Sequence, residues 1–324
     1  MKVRLSAPGK TFLLGEYGVL SGGQALLAAT SPRFVMELEL GQGGSSCTGV
    51  HPSSPAGQWI RQKSGLFQGV SLRFVDPHSR GGGLGASSAQ FLSVYMWSQL
   101  CEKPLVEWPA EVSPQGIWQS FRSVSWEGTG LPPSGADVMA QWIGGLSLFQ
   151  SQPFSLKNLL WPYKNLDFTL FKTSKKVATH RHLASLSRDS FSGLNPSLDR
   201  AIAAFHQGVE EPFLQAVKEY GQALEQMGLL HEEIRPLLQK LFQLPQVLAA
   251  KGCGALGADI LVVFHRLTDR KPVVEEASRL GLLPAGGREN LDQEGLRLEL
   301  DMVTLETPRS QIPRFFFPER EERL

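Results

Sequence analysis

Three glycines near residue 85 stand directly before an apolar segment that has the spacing of a helix. The run is Gly82-Gly83-Leu84-Gly85-Ala86-Ser87-Ser88, and residues 91–97 follow it without a proline. Glycine permits positive φ angles and a close backbone approach to a ligand, and a helix N-terminus presents free N–H groups and a positive dipole end. The pattern predicts a phosphate-binding loop, and the alternative is a tight turn in which Ser87 or Ser88 caps the helix.

Three further segments combine glycines with a lysine, a glutamate or an aspartate. They are Ala7-Pro8-Gly9-Lys10-Thr11-Phe12-Leu13-Leu14-Gly15-Glu16-Tyr17-Gly18, Pro133-Ser134-Gly135-Ala136-Asp137-Val138, and Lys251-Gly252-Cys253-Gly254-Ala255-Leu256-Gly257-Ala258-Asp259. With the glycine run, they resemble in order the signature segments of the GHMP kinases, the family of galactokinase and of homoserine, mevalonate and phosphomevalonate kinases. The resemblance extends from residue 7 to residue 264.

The resemblance implies a fold and a domain division. We expect an α+β protein with two domains: an N-terminal α/β domain of a ribosomal-protein type over residues 1–170, and a C-terminal ferredoxin-like domain over residues 171–324. The active site would lie in the cleft between them.

Transfer of a phosphoryl group from ATP requires a cradle for the phosphates, a cation, an oriented nucleophile and a group that receives its proton. The cradle would be residues 82–88, which lack the Gly-Lys-Ser/Thr ending of a Walker loop. Mg²⁺ prefers hard oxygen ligands, and the resemblance assigns it Ser87 and Glu127. Ala86 replaces the first of the two serines common in the family, which leaves Ser88 as a displaced alternative. Without the resemblance, Glu127 is a solvated carboxylate at a helix end.

Asp137 is the expected general base, or the group that orients the substrate hydroxyl. Lys10 is its expected partner, because an ammonium beside the carboxylate would keep it ionised and stabilise charge on the attacking oxygen. Taken alone, Lys10 would be a surface lysine at a strand end and Asp137 a helix cap.

The resemblance also implies contacts to an acidic substrate. Besides the catalytic pair, the expected substrate-binding residues are Glu16, Tyr17, Ser134, Gly135, Thr179, His180, Arg181, Gly254 and Ala255. The basic run 175–182 suits a carboxylate or phosphate, with a solvated basic loop as the alternative. Leu256 and Ala258 stand where the family usually has glycine, so we expect a stiffer third loop.

Within the family, the chain most resembles the phosphomevalonate kinases in Gly15-Glu16-Tyr17, Asp137-Val138 and the ending of the third segment. Mevalonate kinase is the second interpretation. A GHMP-fold protein that binds a ligand without catalysis stays open because of Ala86, Leu256 and Ala258. Retention of Lys10, Ser87 and Asp137 argues against it.

Composition restricts the partners. The 324 residues carry a formal net charge of +1, so no global field favours nucleic acid or an anionic membrane. Three widely spaced cysteines fit neither a disulfide framework nor a zinc site, and no apolar run is long enough to span a bilayer. We expect a cytoplasmic monomer or homodimer that acts on a small acidic molecule.

Hydrophobic patterning predicts the elements that position these residues. Strands are expected at 3–5 and 11–14 around a turn at Pro8 and Gly9, then at 34–40, 70–74, 145–149, 166–172, 259–264 and 296–303. Residues 41–65 read as irregular. Helices are expected after the glycine run and at 113–126, 198–208, 212–230, 232–250 with a kink at Pro245, and 272–280.

Overall fold

The computed structural model of the protein describes residues 2–41, 44–78, 82–102, 112–173, 191 and 193–301. The strands are β1 (Lys2–Leu14), β2 (Gln24–Leu40), β3 (Ser46–Thr48), β4 (Val70–Val75), β5 (Leu146–Ser151), β6 (Phe154–Leu159), β7 (Leu166–Lys172), β8 (Ala249–Cys253), β9 (Ile260–Arg266), β10 (Leu283–Gly287) and β11 (Arg297–Asp301). The helices are α1 (Pro55–Gln62), α2 (Ala86–Glu102), α3 (Pro114–Ser125), α4 (Ala136–Ile143), α5 (Asn195–Gln207), α6 (Glu210–Gln226), α7 (Ile234–Phe242) and α8 (Arg270–Arg279).

The first sheet has seven strands within the described residues. Its main path runs β11-β1-β2-β4-β3, and β5 pairs with the N-terminal part of β2 and with β6. Helices α2 and α4 pack on β1 and β2. Helix α2 is apolar on nearly every side, because it lies between the sheet and helices α1 and α3, and its residues from Ala89 to Trp97 are buried except Gln90.

Strand β1 is continuous where the sequence predicts a turn. Its antiparallel pairing with β2 passes from Ala7↔Phe34 to Gly9↔Thr30 with a shift in register. A bulge accommodates Pro8 at this point, because proline has no N–H to give to the ladder. The predicted Pro8–Gly9 turn is therefore wrong, and the bulge lies immediately before Lys10.

In the part of the chain that the structure describes, the second sheet has four antiparallel strands in the order β10-β7-β9-β8. Helices α5, α6 and α7 lie between β7 and β8 in the chain, and α8 lies between β9 and β10. Numbered along the chain, the strand order is 4-1-3-2 with helical crossovers, which is the ferredoxin-like arrangement. The α+β fold with a ferredoxin-like second half is thus present as predicted.

Several predicted elements differ from those observed. Residues 249–250 belong to strand β8 rather than to the predicted helix 232–250, and 41–65 contains β3 and α1. Strand β7 starts before residue 170 yet belongs to the second sheet, and β11 returns to the first sheet. Sheet membership therefore does not follow one cut at residue 170, and the domain division stays a prediction. No helix in the described part of the chain is long and apolar enough to cross a membrane.

Candidate active site

The glycine loop is attached to strand β1. Gly83 and Gly85 have φ angles of 86° and 90°, and the carbonyl oxygen of the buried Leu84 accepts the backbone N–H of Lys10 at 2.9 Å. On the other side the loop meets the second half of the chain: a Cβ on Gly82 would lie 2.8 Å from Oδ2 of Asp259. The loop therefore runs between the Lys10 strand and the strand that follows the third segment.

The two serines that begin α2 have different surroundings. Ser87 is exposed, whereas Ser88 is buried and its hydroxyl donates to the Gly85 carbonyl oxygen at 2.9 Å. The first N–H groups of a helix have no intrahelical acceptor. The N-terminus of α2 thus offers backbone donors and the Ser87 hydroxyl to an anion, while the Ser88 hydroxyl is already engaged.

Lys10 is nearly buried beside the glycine loop. Its Nζ lies 5.0 Å from the centroid of the Phe12 ring, and its Cγ would lie 2.8 Å from a Cβ placed on Gly85. Only a glycine at position 85 leaves this space for the lysine stem. Gln141 joins the same elements, because its Nε2 donates to the Gly85 carbonyl oxygen at 3.0 Å and to the Pro8 carbonyl oxygen at 2.8 Å.

Asp137 lies in the first turn of α4, which begins at a tightly held loop. Gly135 has a φ of 72°, and the indole N–H of Trp118 donates to the Ser134 carbonyl oxygen at 2.7 Å. A Cβ on Gly135 would lie 2.6 Å from Trp118 Cδ1. The expected ion pair between Lys10 and Asp137 is not formed, since no contact within 4.0 Å joins their charged groups in the described part of the chain. The Lys10 ammonium lies over Phe12 instead, and Gln141 connects the two elements.

Glu16 forms a buried ion pair that the sequence analysis did not predict. Its Oε1 lies 2.7 Å from Nζ of Lys251 on β8, and the two side chains are 2% and 0% exposed. Burial raises the pKa of the Glu16 carboxyl, and the Lys251 ammonium opposes this shift. The Glu16 side chain therefore joins the segment after β1 to strand β8, and its contact with a substrate stays a prediction.

Tyr17 also joins the two halves of the chain. Its hydroxyl oxygen accepts the backbone N–H of Leu256 at 2.8 Å, and burial raises the pKa of Tyr17 to about 12. Leu256 has a φ of 53° in the turn Ala255–Gly257, so a leucine adopts the left-handed conformation, which favours glycine, at a position where the resemblance expects glycine. Gly254, with a φ of 77°, starts this turn, and Gly254 and Ala255 are half-buried. The third loop is thereby fixed against Tyr17.

One predicted metal ligand, Glu127, is not brought to this cluster among the described residues. Glu127 is exposed in the loop between α3 and α4, where it makes no hydrogen bond or ion pair with another described residue. Thr179, His180 and Arg181 lie outside the described residues. Within the described ranges, no group of three or more His, Cys, Asp or Glu side chains has the arrangement of a metal site.

Sequence reasoning missed Gln141 and Lys251. Gln141 comes one turn after Asp137 on the same helix, so a helical reading of 136–143 could have shown that both point the same way. Lys251 has no such signal, because its partner is distant in the chain.

No family model matches the sequence, and no curated protein matches it. Solved structures do match. The Streptococcus pneumoniae phosphomevalonate kinase in complex with phosphomevalonate and AMPPNP has a TM-score of 0.69 at 17% identity, over 88% of this chain and 98% of that one. Lactococcus lactis galactokinase with galactose has a TM-score of 0.71 at 13% identity, over 91% and 95% of the two chains. L. major mevalonate kinase with R-mevalonate has a TM-score of 0.62 at 16% identity, over 86% and 94%.

The chain has the GHMP kinase fold. At these identities the likeness establishes the fold alone. Within this GHMP kinase fold, the glycine loop, Lys10 and the Asp137 helix are joined through the Leu84 and Gly85 carbonyl groups and Gln141.

Proposed function

We propose that the chain is an ATP-dependent kinase that transfers the γ-phosphoryl group to a mevalonate-pathway intermediate, with phosphomevalonate as the first candidate and mevalonate as the second. The observation that carries this proposal is the junction at Gly85. There a loop suited to phosphates is bonded to the strand of Lys10 and, through Gln141, to the helix of Asp137. The likeness to kinases whose structures hold phosphomevalonate, mevalonate and a nucleotide analogue supports the substrate class.

The glycine loop suits a nucleotide triphosphate. A side chain at Gly82, Gly83 or Gly85 would meet Asp259, Ile260 or Lys10. The three glycines instead leave backbone that a phosphate group can approach closely. The exposed Ser87 hydroxyl and the Asp259 carboxylate near Gly82 are hard oxygen donors of the kind Mg²⁺ prefers. Mg²⁺ would neutralise charge on the phosphates when bound. Glu127, the carboxylate predicted from the sequence, stays a proposal on an exposed loop.

The protein groups have distinct roles in the proposed transfer. If the acceptor is a hydroxyl, Asp137 receives its proton while the new O–P bond forms and the bond from the γ-phosphorus to the leaving ADP oxygen breaks. If the acceptor is a phosphate, no proton has to move, and Asp137 and Lys10 orient the attacking oxygen. In both cases Lys10 and the α2 N-terminus stabilise negative charge.

The experiment is a coupled ADP-release assay with mevalonate, phosphomevalonate and diphosphomevalonate in turn, and carbon dioxide is followed in the last. Galactose and homoserine serve as controls, because solved relatives in fold include their kinases. We expect ADP release with phosphomevalonate or, as the second candidate, mevalonate. Release with a control compound alone would reject the substrate class, and release with none of the five would favour a catalytically silent ligand-binding protein.

The basic segment offers a separate test of the acidic substrate. Arg181→Ala should raise the KM for the acid far more than the KM for ATP, because a guanidinium that pairs with a carboxylate or phosphate contributes to that substrate alone. An equal rise for both substrates would indicate a solvated loop.

A further inference from the structure

The side chain of Gln141 lies where three parts of the candidate site meet. It is fully buried on α4, one turn after Asp137 and on the same face of the helix. Its Nε2 donates to the carbonyl oxygen of Pro8, just before Lys10, at 2.8 Å, and to that of Gly85 in the glycine loop at 3.0 Å. Both amide hydrogens are thereby used, one on each neighbouring element.

The bond to Gly85 is not needed to satisfy that carbonyl group. The same oxygen also accepts the Ala89 N–H at 3.0 Å and the Ser88 hydroxyl at 2.9 Å. The Gln141 Oε1, in turn, is buried and has no hydrogen-bond partner among the described residues. A buried acceptor without a partner costs free energy, which an apolar side chain of the same size would avoid. These two features favour a positioning role for the glutamine over a purely structural one.

Gln141 and Lys10 together confine the Gly85 peptide. A Cβ on Gly85 would lie 3.0 Å from Gln141 Nε2 and 3.1 Å from Lys10 Cε. Helix α2 begins directly after this peptide, and its first N–H groups have no intrahelical acceptor and suit phosphate oxygens. A ligand held by those N–H groups therefore acts on Gly85 and, through the Gln141 amide, on the helix that carries Asp137.

We propose that Gln141 is a positioning residue that couples nucleotide binding to the placement of Asp137. A triphosphate at the glycine loop holds Gly85, and the Gln141 amide transmits this constraint to α4. The proposal rests on the proposed function for the identity of the two ligands. Asp137 is half-buried and open to an acceptor, whereas Gln141 is fully buried behind it on the helix. Because coupling between two sites is reciprocal, the acceptor should in turn tighten nucleotide binding.

The first test requires neither catalysis nor an acceptor. Hydrogen–deuterium exchange of the full chain is measured with and without saturating AMP-PNP. In the wild type we expect the nucleotide to slow exchange in residues 86–90, at the start of α2, and also in residues 136–143 of α4. Gln141→Met, which keeps the approximate size of the side chain and removes both N–H donors, should retain the first effect and lose the second.

Gln150→Met is the matched control. The Gln150 amide on β5 also donates to two carbonyl oxygens, those of Gly22 and Gln152, and neither belongs to the glycine loop or to α4. This variant should behave as the wild type. Helices α2 and α4 also pack directly on each other, and Gln141→Met leaves that packing in place. Protection of α4 that survives Gln141→Met, or a wild type in which AMP-PNP protects α2 and not α4, would overturn the proposal.

The second test uses the acid that supports ADP release. Calorimetry with AMP-PNP on the wild type should give binding tighter by a factor of about five or more when the acid is present, since this is the usual size of coupling between two sites. Gln141→Met should bind AMP-PNP equally with and without the acid. Its affinity without the acid should match that of the wild type within about threefold, because the glycine loop itself is unchanged. A wild type without this coupling would contradict the proposal.

Gln141→Glu makes the donor depend on pH. The ionised side chain presents only acceptors to the Pro8 and Gly85 carbonyl oxygens, whereas the protonated one offers a single O–H donor. Its kcat, divided by the wild-type kcat at the same pH, should therefore rise as the pH falls, while the ratio for Gln141→Met should stay low throughout. A ratio near one at every pH in folded Gln141→Glu would reject the positioning role, even if Gln141→Met does not fold.

The two proposals fail separately. No ADP release with any acid, together with protection of α4 that depends on Gln141, would reject the kinase function and retain the coupling. ADP release by an enzyme whose α4 exchange and kcat are insensitive to Gln141→Met would retain the kinase and reject the coupling. If AMP-PNP protects neither helix, the nucleotide site is rejected and the coupling with it.

Discussion

Asp137 and Lys10 are held at the candidate site by neighbours rather than by each other. The Lys10 stem fills the space beside Gly85, and the turn before Asp137 is fixed by Gly135 and the Trp118 indole. The Lys10 stem and the backbone that carries Asp137 are therefore fixed by the protein itself, which in the proposed function would lower the cost of orienting the two groups.

Asp137→Asn should reduce turnover by a factor on the order of 10²–10⁴, because it removes the charge that accepts or orients the proton while it keeps the shape of the side chain. Nucleotide affinity should be retained. Steady-state kinetics of the folded variant on the active acid checks this, with Asp199→Asn on the exposed face of α5 as the control.

When Lys10→Met is added to Asp137→Asn, turnover should fall by a factor much smaller than the product of the factors for the two single variants. The reason is that the effects of residues that act as one catalytic unit are strongly non-additive. Multiplicative losses would show that the two side chains act independently. Near wild-type turnover of Asp137→Asn would reject it as the base.

The sequence predicted the residues of this site unevenly. The resemblance to the GHMP kinase segments predicted roles for Lys10, Asp137 and Ser87, whereas the residues alone would indicate a surface lysine for Lys10 and a helix cap for Asp137. Lys251 could not be identified, since a single lysine in a short strand of alanine and glycine has no local pattern. Its function depends on Glu16, and only the folded chain brings the two together.

At the scale of elements, the glycine loop and α2 act with β1 as one unit. Three backbone or side-chain groups converge on the Gly85 carbonyl oxygen: the Ala89 N–H, the Ser88 hydroxyl and the Gln141 amide. Any shift of this peptide would move the helix N-terminus and the Lys10 stem together.

Gly85→Ala should weaken ATP binding sharply and also lower turnover. Its Cβ would lie 2.8 Å from Lys10 Cγ and 3.0 Å from Gln141 Nε2, at a φ of 90° that alanine rarely adopts. Gly281→Ala is the matched control, since Gly281 has a φ of 82° with open space around it. Calorimetry with ATP on both variants separates the effects, and equal affinities would remove the loop from the nucleotide site.

Element prediction succeeded where hydrophobic patterns were strong. Strand β7 has the predicted bounds because its residues are almost all apolar or β-formers, and α3 differs by one residue at each end. Strand β8 was missed because Ala249-Ala250-Lys251-Gly252-Cys253 contains no β-branched residue, so its place between β9 and helices α6 and α7 decides its conformation. The bulge at Pro8 was read as a turn because proline and glycine mark both.

At the scale of the whole molecule, the two sheets are joined through buried polar contacts. The Glu16–Lys251 pair and the Tyr17–Leu256 hydrogen bond connect the end of β1 to β8 and the third loop. The Lys251 ammonium also lies 5.8 Å from the centroid of the Tyr220 ring. These contacts fix the position of the second sheet against the strand that carries Lys10.

Glu16→Gln or Lys251→Met alone should lower the free energy of unfolding by about 3–5 kcal/mol, because each leaves a buried charge without its partner. The double variant should be less destabilised than the sum of the single variants. Urea denaturation checks this, with Glu225→Gln as the control, since the exposed Arg235–Glu225 pair is expected to contribute about 0–1 kcal/mol. Additive losses would show that the two charges do not stabilise each other.

Residues 1–170 alone should fail to give a monomeric folded domain. The fragment would lack β11, so the edge of β1 that pairs with Arg297–Asp301 would be open to other chains. Size-exclusion chromatography should show aggregates, and addition of a peptide covering 295–303 should reduce them. A stable monomeric fragment would contradict this.

The return of β11 to the first sheet also sets an order of events during translation. The ribosome must add residue 301 before β1, which is made earlier, can acquire its outer neighbour. The ferredoxin-like half, whose strands lie between residues 166 and 287, is complete in sequence before that moment. The nascent first sheet thus waits with the outer edge of β1 uncovered until β11 has been synthesised, after the ferredoxin-like half.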